Sequence, residues 1–158
     1  MKSDSRIRFG IFMPQLYSWS TMVESAQLVE TLGFESFWVA DQFVNPYAPA
    51  RPWFECWTLL AGLATQTSKI RLGPLVTHAV YRNPAILARE AMTLDHISNG
   101  RLEIGIGAGG SRADYTMTGI PTREKAEQYE RLIKRSRSSG GPAFAQRDHY
   151  LFWFVPSN

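Results

Sequence analysis

Four short apolar runs, beginning at Ile7, Phe34, Ile70 and Arg101, recur along the chain with a helix-length segment after each of the first three. Their spacing, roughly 30 residues, is that of a βαβ unit. A strand that is followed by a helix and then by a strand starting from the same end builds a parallel sheet with right-handed crossovers. This excludes folds made of hairpins or of helices alone. It also fixes where chemistry is found, because parallel sheets place their sites at the carboxyl ends of the strands.

The individual elements follow from local signals. Residues 7–13 read as a strand ended by Pro14. Thr21 with Glu24 has capping-box spacing, Met22, Ala26, Val29 and Leu32 then follow at helical intervals, and Gly33 is a stop. Phe34 to Ala40 is a second strand, ending in Asp41-Gln42 before a loop rich in Pro and aromatics. A helix is expected from about Phe54 to Thr67. Ile70 to Thr77 forms a third strand interrupted by Gly73-Pro74, and Asn83-Pro84 opens a helix that Gly100 closes. Arg101 to Gly107 is a fourth strand. Beyond Gly110 the pattern weakens: a helix is expected to begin near Thr122, and Asp148 to Val155 has strand character but needs partners on both faces.

The strand ends gather Met13-Pro14-Gln15, Asp41-Gln42, Thr77-His78 and Gly107-Ala108-Gly109-Gly110. Asp41, closing an apolar strand, could bind a ligand or cap the adjoining loop. Gly105, Gly107 and Gly110 satisfy G-x-G-x-x-G, but the dinucleotide reading needs a full helix opening at the glycines. Gly119 and Pro121 leave no room for one of normal length. The glycines then permit close approach of a ligand or another backbone, or make a tight turn. His78 keeps a claim to the site by position, whereas His96, in the last turn of a helix, reads as a solvated or capping residue.

Charge and cysteine content narrow the partners. The chain has 158 residues and a net charge of +3. Its first 133 residues are neutral, so the excess lies in Lys134, Arg135, Arg137 and Arg147. A neutral body with a short basic tail argues against nucleic acid as partner. No apolar run has transmembrane length, and no signal-peptide profile precedes the first strand. Cys56 is the single cysteine and lies between Trp53 and Trp57, which suits a buried thiol. No Cys/His cluster has metal-ligand spacing. The expectation is a cytoplasmic protein that binds no membrane and no metal.

The segments Phe37-Trp38-Val39-Ala40-Asp41, Ile70-Arg71-Leu72-Gly73-Pro74-Leu75-Val76-Thr77 and Tyr81-Arg82-Asn83-Pro84-Ala85 resemble successive motifs of the luciferase-like monooxygenase superfamily. Thr93 to Arg101, Gly105-Ile106-Gly107-Ala108-Gly109 and Gly119-Ile120-Pro121 continue the resemblance in order, over roughly residues 7–133. The resemblance implies a TIM-barrel oxidoreductase of small organic substrates that uses FMN with oxygen, or the deazaflavin coenzyme F-420 for hydride transfer. Carried over residue by residue, it implies a cis peptide at Leu75–Val76. It also implies a cofactor ring lined by Asp41, Leu75, Val76, Thr77, Gly107, Ala108 and Gly109. Gln42 stands where many members have His, and Gly110 where sugar- and alcohol-oxidising members have Glu. Neither Gln nor Gly can serve as a general base, so no catalytic acid or base is assigned.

A (β/α)₈ barrel usually needs about 250 residues. The implied fold class is therefore α/β, a partial barrel of about four of the eight units. Residues 1–133 form its N-terminal half and residues 134–158 a divergent basic and aromatic tail. Two consequences are expected. The open sheet edges invite a homodimer, and a fragment of this kind could equally be catalytically silent, associating through those edges.

Overall fold

A computed structural model describes residues 7–122, together with Glu124, Glu127, Glu130 and the pair Phe154–Val155. The order is β1 (Gly10–Phe12), α1 (Trp19–Thr31), β2 (Ser36–Val39), α2 (Cys56–Gln66), β3 (Arg71–Pro74), β4 (Thr77–His78), α3 (Pro84–Ile97), β5 (Ile106–Gly107), α4 (Arg112–Thr118) and β6 (Phe154–Val155). All named strand pairs are parallel, β1 with β2, β2 with β3, β4 with β5, and β5 with β6. β3 and β4 are two halves of one strand, broken at Leu75–Val76. The neighbouring segment pairs with both halves, through the Leu72–Leu102 bridge below the break and the Thr77 and Ala79 amides above it. The expected interruption is thus real, but it falls after Pro74 rather than at Gly73-Pro74.

Helix starts show which capping signal wins. α1 begins two residues before Thr21, because Ser18 accepts the Thr21 amide at 3.3 Å; the Thr21–Glu24 pair is not the cap. α2 starts at Cys56 rather than Phe54, since the Glu55 carboxylate reaches forward to accept the amides of Trp57 and Thr58 at 3.1 and 2.7 Å. α3 follows the Asn83-Pro84 signal as expected, with Asn83 accepting the Ala85 amide at 2.9 Å. A helix does form after the glycines. α4 has seven residues, opened by a reciprocal Ser111–Asp114 capping box and closed by Gly119 at φ 68°. Of the helix expected from Thr122, Glu127 and Glu130 are helical. Of the strand expected from Asp148 to Val155, Phe154–Val155 pairs with β5; the rest of both segments lies outside the described residues.

One face of the sheet carries the core. Phe37, Val39, Leu72, Leu102 and Ile104 meet Met22 and Ala26 of α1, Leu60 and Leu63 of α2, and Ala91 and Leu94 of α3, all essentially fully buried. On the opposite face Trp38 lies across two glycines: a Cβ at Gly10 would stand 2.8 Å from its Nε1, and one at Gly73 3.0 Å from its Cζ3. Among the described residues β1 pairs only with β2, and Ile7 and Phe9 beside it are largely exposed.

Two polar ties set the register at the amino ends. The Glu30 carboxylate takes the amides of Ser68, Lys69 and Ile70 at 3.0, 2.7 and 2.8 Å. The buried Arg101 guanidinium donates to the carbonyls of Ala64 (2.7 Å), Thr67 (3.1 Å), Ile70 (2.9 Å) and Ser98 (2.6 Å). It thereby meets carbonyl groups that the end of α2 leaves without helical partners. Among the described residues no helix is long and apolar enough to cross a membrane.

Candidate functional site

The carboxyl ends of β2 and β4 converge on Asp41, which is 3% exposed. Its Oδ2 accepts the Thr77 hydroxyl at 2.6 Å, the His78 amide at 3.1 Å and Arg82 Nη1 at 2.6 Å. The Thr77 hydroxyl also accepts Trp57 Nε1 at 3.2 Å, so both of its roles are taken inside the protein. Arg82 continues outward to Glu55 at 2.6 Å and Glu90 at 3.1 Å, with its guanidinium 6.0 Å from the Trp57 ring centre. Asp41 therefore anchors the strand end beyond the break, through one side chain, one amide and one cation.

That anchor holds the bulge in place. The Leu75–Val76 peptide is cis, and Leu75 and Val76 are half-buried at the mouth of the sheet. The glycine strand beside it is shaped to the bulge. A Cβ at Gly105 would lie 2.9 Å from the Pro74 carbonyl and 3.0 Å from Val76 Cγ1, and one at Gly107 only 2.5 Å from Val76 Cγ2. Of the two readings of these glycines, close approach is the one observed, and the approaching group is the neighbouring strand. Ala108 and Gly109 continue the segment, both buried.

Two further residues close the rim. Gln15, 1% exposed, donates to the Ala40 carbonyl at 2.6 Å and accepts the Ala40 amide at 3.1 Å, fixing the end of β2. Asp114, fully buried, accepts the amides of Phe43 and Val44 at 2.9 and 2.8 Å, and the Ser111 hydroxyl at 2.8 Å. It pins the loop after β2 to α4.

Electrostatics follow burial and these bonds. Burial works to raise the Asp114 pKa, but the amides and the Ser111 hydroxyl outweigh it and hold the carboxyl below its ordinary value. Burial pushes His78 down, against the charges of Asp41 and Asp114, so the imidazole favours its neutral form. Burial, reinforced by the Asp114 charge, pushes the Tyr81 phenol up. Cys56 is buried as expected; burial first, then the charges of Asp41 and Glu55, raises its thiol well above the ordinary range.

Asp41, Leu75, Val76, Thr77 and Gly107 are thus brought into one cluster, with Ala108 and Gly109 extending it. His96 lies apart, exposed at the end of α3. Sequence reasoning missed Arg82, Asp114 and Tyr81 as site residues, and placed Gln15 only among the strand ends. Arg82 had a readable signal, a cation between a strand end and a helix cap. Asp114 had one too, at the third position after Ser111. Gln15 had its place at the end of the first strand, and Tyr81 carried none. Among the described residues no group of His, Cys, Asp and Glu could hold a metal.

A parallel βα sheet with its polar cluster at the carboxyl ends and a bulged third strand defines an α/β architecture of successive βα units. The chain belongs to the luciferase-like monooxygenase family, whose model matches residues 7–133. It is 31% identical over 114 residues to the F420-dependent glucose-6-phosphate dehydrogenase of Amycolatopsis mediterranei (strain U-32), covering 70% of this chain and 34% of that protein. The structure of the coenzyme F420 dependent tetrahydromethanopterin reductase from Methanopyrus kandleri matches with a TM-score of 0.63 and 32% identity, over 74% of this chain and 31% of that one. The FMN complex of the oxygenating constituent of 3,6-diketocamphane monooxygenase from Pseudomonas putida has a TM-score of 0.69 at 22% identity. It covers 85% of this chain and 39% of that one, a likeness of fold alone. Relatives of the chain thus include F420-dependent enzymes, and an FMN-bound enzyme shares its fold. The chain spans about a third of the length of these proteins.

Proposed function

We propose that this chain supplies the first part of a flavin or deazaflavin site in an oxidoreductase acting on a small organic substrate. The observation that carries the reading is the bulge at Leu75–Val76, presented at the carboxyl end of the sheet and tied from behind by Asp41. The residues suit a planar heterocycle. Val76 and Leu75 offer an apolar surface, and His78 Nδ1, buried with no hydrogen-bond partner, offers a polar atom beside it. Asp41, Thr77, Gly107, Ala108 and Gly109 complete the set, Asp41 and Thr77 by holding the bulge in position.

When bound, FMN or F420 supplies the redox chemistry, and the protein supplies position and electrostatics. Asp41 acts through the Thr77 hydroxyl and the His78 amide, keeping the bulge facing the mouth. Arg82 balances its charge, and the Trp57 indole shields the Thr77 hydroxyl from behind. In this reading residues 1–133 are the N-terminal half of a barrel, four of its eight βα units, and residues 134–158 a divergent tail. What supports that division is the share of the relatives' length that the chain spans, together with the span of the family match. That β1 pairs on one side alone among the described residues supports assembly as a homodimer.

The test is titration of the purified chain with FMN and with F420, followed by fluorescence and by oligomer size. Micromolar binding by a defined dimer, weakened tenfold or more by Val76→Glu, is the expected result. A folded chain that binds neither would overturn the proposal in favour of a catalytically silent fragment.

A further inference from the structure

Asp114 is fully buried, so no ligand at the mouth can touch it, yet it takes donors from three separate loops. From the loop after β2 come the amides of Phe43 and Val44 at 2.9 and 2.8 Å. From the segment after β5 come the Ser111 amide at 3.1 Å and its hydroxyl at 2.8 Å. From the turn after β4 comes the Tyr81 hydroxyl, which donates to the same carboxylate. A capping box needs only the Ser111 contacts. The other donors lie outside α4 and belong to the mouth.

What they hold is a row of rings. Phe43 packs edge-on against Tyr81, centroids 4.9 Å apart at 77°, and Tyr81 packs against His78, 4.8 Å apart at 63°. Asp114 fixes Phe43 through its amide and Tyr81 through its hydroxyl, the far corner of the ring. The phenol also fills the open side of Gly110, where a Cβ would fall 1.7 Å from its oxygen. Gly110 is itself tied by its amide to the Tyr115 hydroxyl at 3.2 Å.

His78 stands at the other end of the row. Its backbone is held, the amide by Asp41 at 3.1 Å and the carbonyl by the Tyr81 amide at 3.1 Å. Its Nδ1 has no hydrogen-bond partner and faces the glycine strand, 3.6 Å from where a Cβ at Gly107 would stand. The imidazole is therefore oriented by packing between Gly107 and Tyr81. Of these two walls, Tyr81 is the side chain, and Asp114 is what fixes it.

We propose that Asp114 is a positioning residue of this site, setting through Tyr81 the orientation of the His78 imidazole that the site presents to its cofactor. The inference rests on the proposed flavin or deazaflavin site for its purpose, whereas the ring geometry belongs to the unliganded chain. Without the carboxylate the charge-assisted bonds to Tyr81 and Phe43 weaken, and His78 loses the wall that orients it. A polar group ordered before the ligand arrives binds better than one ordered on binding.

The test is nuclear magnetic resonance of the full chain with labelled histidine, reading the ring-current shift that Tyr81 imposes on the His78 ring protons. Asp114→Asn and Tyr81→Phe should each move that shift toward the value of a free histidine, and exposed His96 should not respond. Ser111→Ala removes a bond to the same carboxylate that lies off the path to Tyr81. It should lower the melting temperature and leave the His78 shift in place, whereas general loosening would move His78 in every variant. Titrated with FMN and with F420, Asp114→Asn and Tyr81→Phe should bind about tenfold more weakly than the native chain, the scale of one hydrogen bond. An unmoved His78 shift in Tyr81→Phe would overturn the proposal, as would a shift equally moved in Ser111→Ala. If Asp114→Asn fails to fold, the contrast between Tyr81→Phe and Ser111→Ala still decides. A native chain that binds neither cofactor overturns the reading of the site, while the His78 contrast decides the positioning on its own.

Discussion

Replacing Arg82 by Met tests whether the Asp41 anchor is a buried charge pair or a set of ordinary hydrogen bonds. The two side chains are 12% and 3% exposed, and their contact is 2.6 Å. Removing one partner of such a pair strands the other, which costs about 3–5 kcal/mol. The Thr77 hydroxyl and the His78 amide continue to serve Asp41, which places the expected loss near the lower end, about 3 kcal/mol. Glu55 and Glu90 are far more exposed, at 42% and 34%, so their pairs with Arg82 add at most about 1 kcal/mol each. Methionine preserves the apolar stem against Trp57, which separates the charge effect from a packing defect. At roughly 2–4 °C per kcal/mol for a chain of this size, melting should fall by about 6–12 °C. The assay is urea denaturation followed by tryptophan fluorescence and by circular dichroism, for Arg82→Met, Asp41→Asn and the double variant. The double variant should be more stable than the sum of the single losses by at least about 1 kcal/mol. Added salt should change these differences little, because the pair is shielded from it. A loss under about 1 kcal/mol in Arg82→Met, or additivity of the two variants, would refute the reasoning.

Two other outcomes follow from the ties described above. Arg101→Met should cost about 2–4 kcal/mol in the same assay and speed amide exchange in the last turn of α2, because buried carbonyls lose their donors. The carboxyls of Glu30, Glu55 and Asp114 are held below their ordinary values, 4.5 for Glu and 3.8 for Asp. Groups of depressed folded pKa stabilise fully above the unfolded value and lose that contribution as pH falls through the folded one. The urea midpoint should therefore decline in two stages. The first lies below about pH 6.5, as His78, held below its ordinary value of 6.5, is charged in the unfolded chain. The second lies below about pH 5 and comes from the carboxyls, and Asp114→Asn should make this second stage shallower.

Much of the fold was legible because strand and helix periodicities are local. Asn83-Pro84 before Ala85 gave α3, and the apolar run from Phe34 to Ala40 gave β2. The errors have physical causes. Thr21–Glu24 has the spacing of a capping box, but Ser18 lies one turn earlier and its oxygen reaches the amide first. α4 went unread because a seven-residue helix has too few positions to show a period, although its Ser111–Asp114 pair was in view. At the site, Asp41 stood out as an acid at the end of an apolar strand. Its three donors come from 36 to 41 residues away. Contacts of that separation leave no mark in a single sequence. The role of Gln15, in view at a strand end, and that of Tyr81 were hidden for the same reason, since what makes them matter is the Ala40 backbone and the absent side chain of Gly110.

The close fit between the bulge and the glycine strand also governs which sequences related members can explore. Mass gained at position 107 must be lost at position 76, because Val76 Cγ2 already fills the volume a side chain at 107 would enter. The same exchange links 110 with 81, where a phenolic oxygen stands in for a side chain. These positions should drift in pairs across an alignment, small opposite large. Position 73, where a Cβ would fall 1.9 Å from the backbone carbonyl oxygen of Glu103, has no partner able to shrink and should not drift at all.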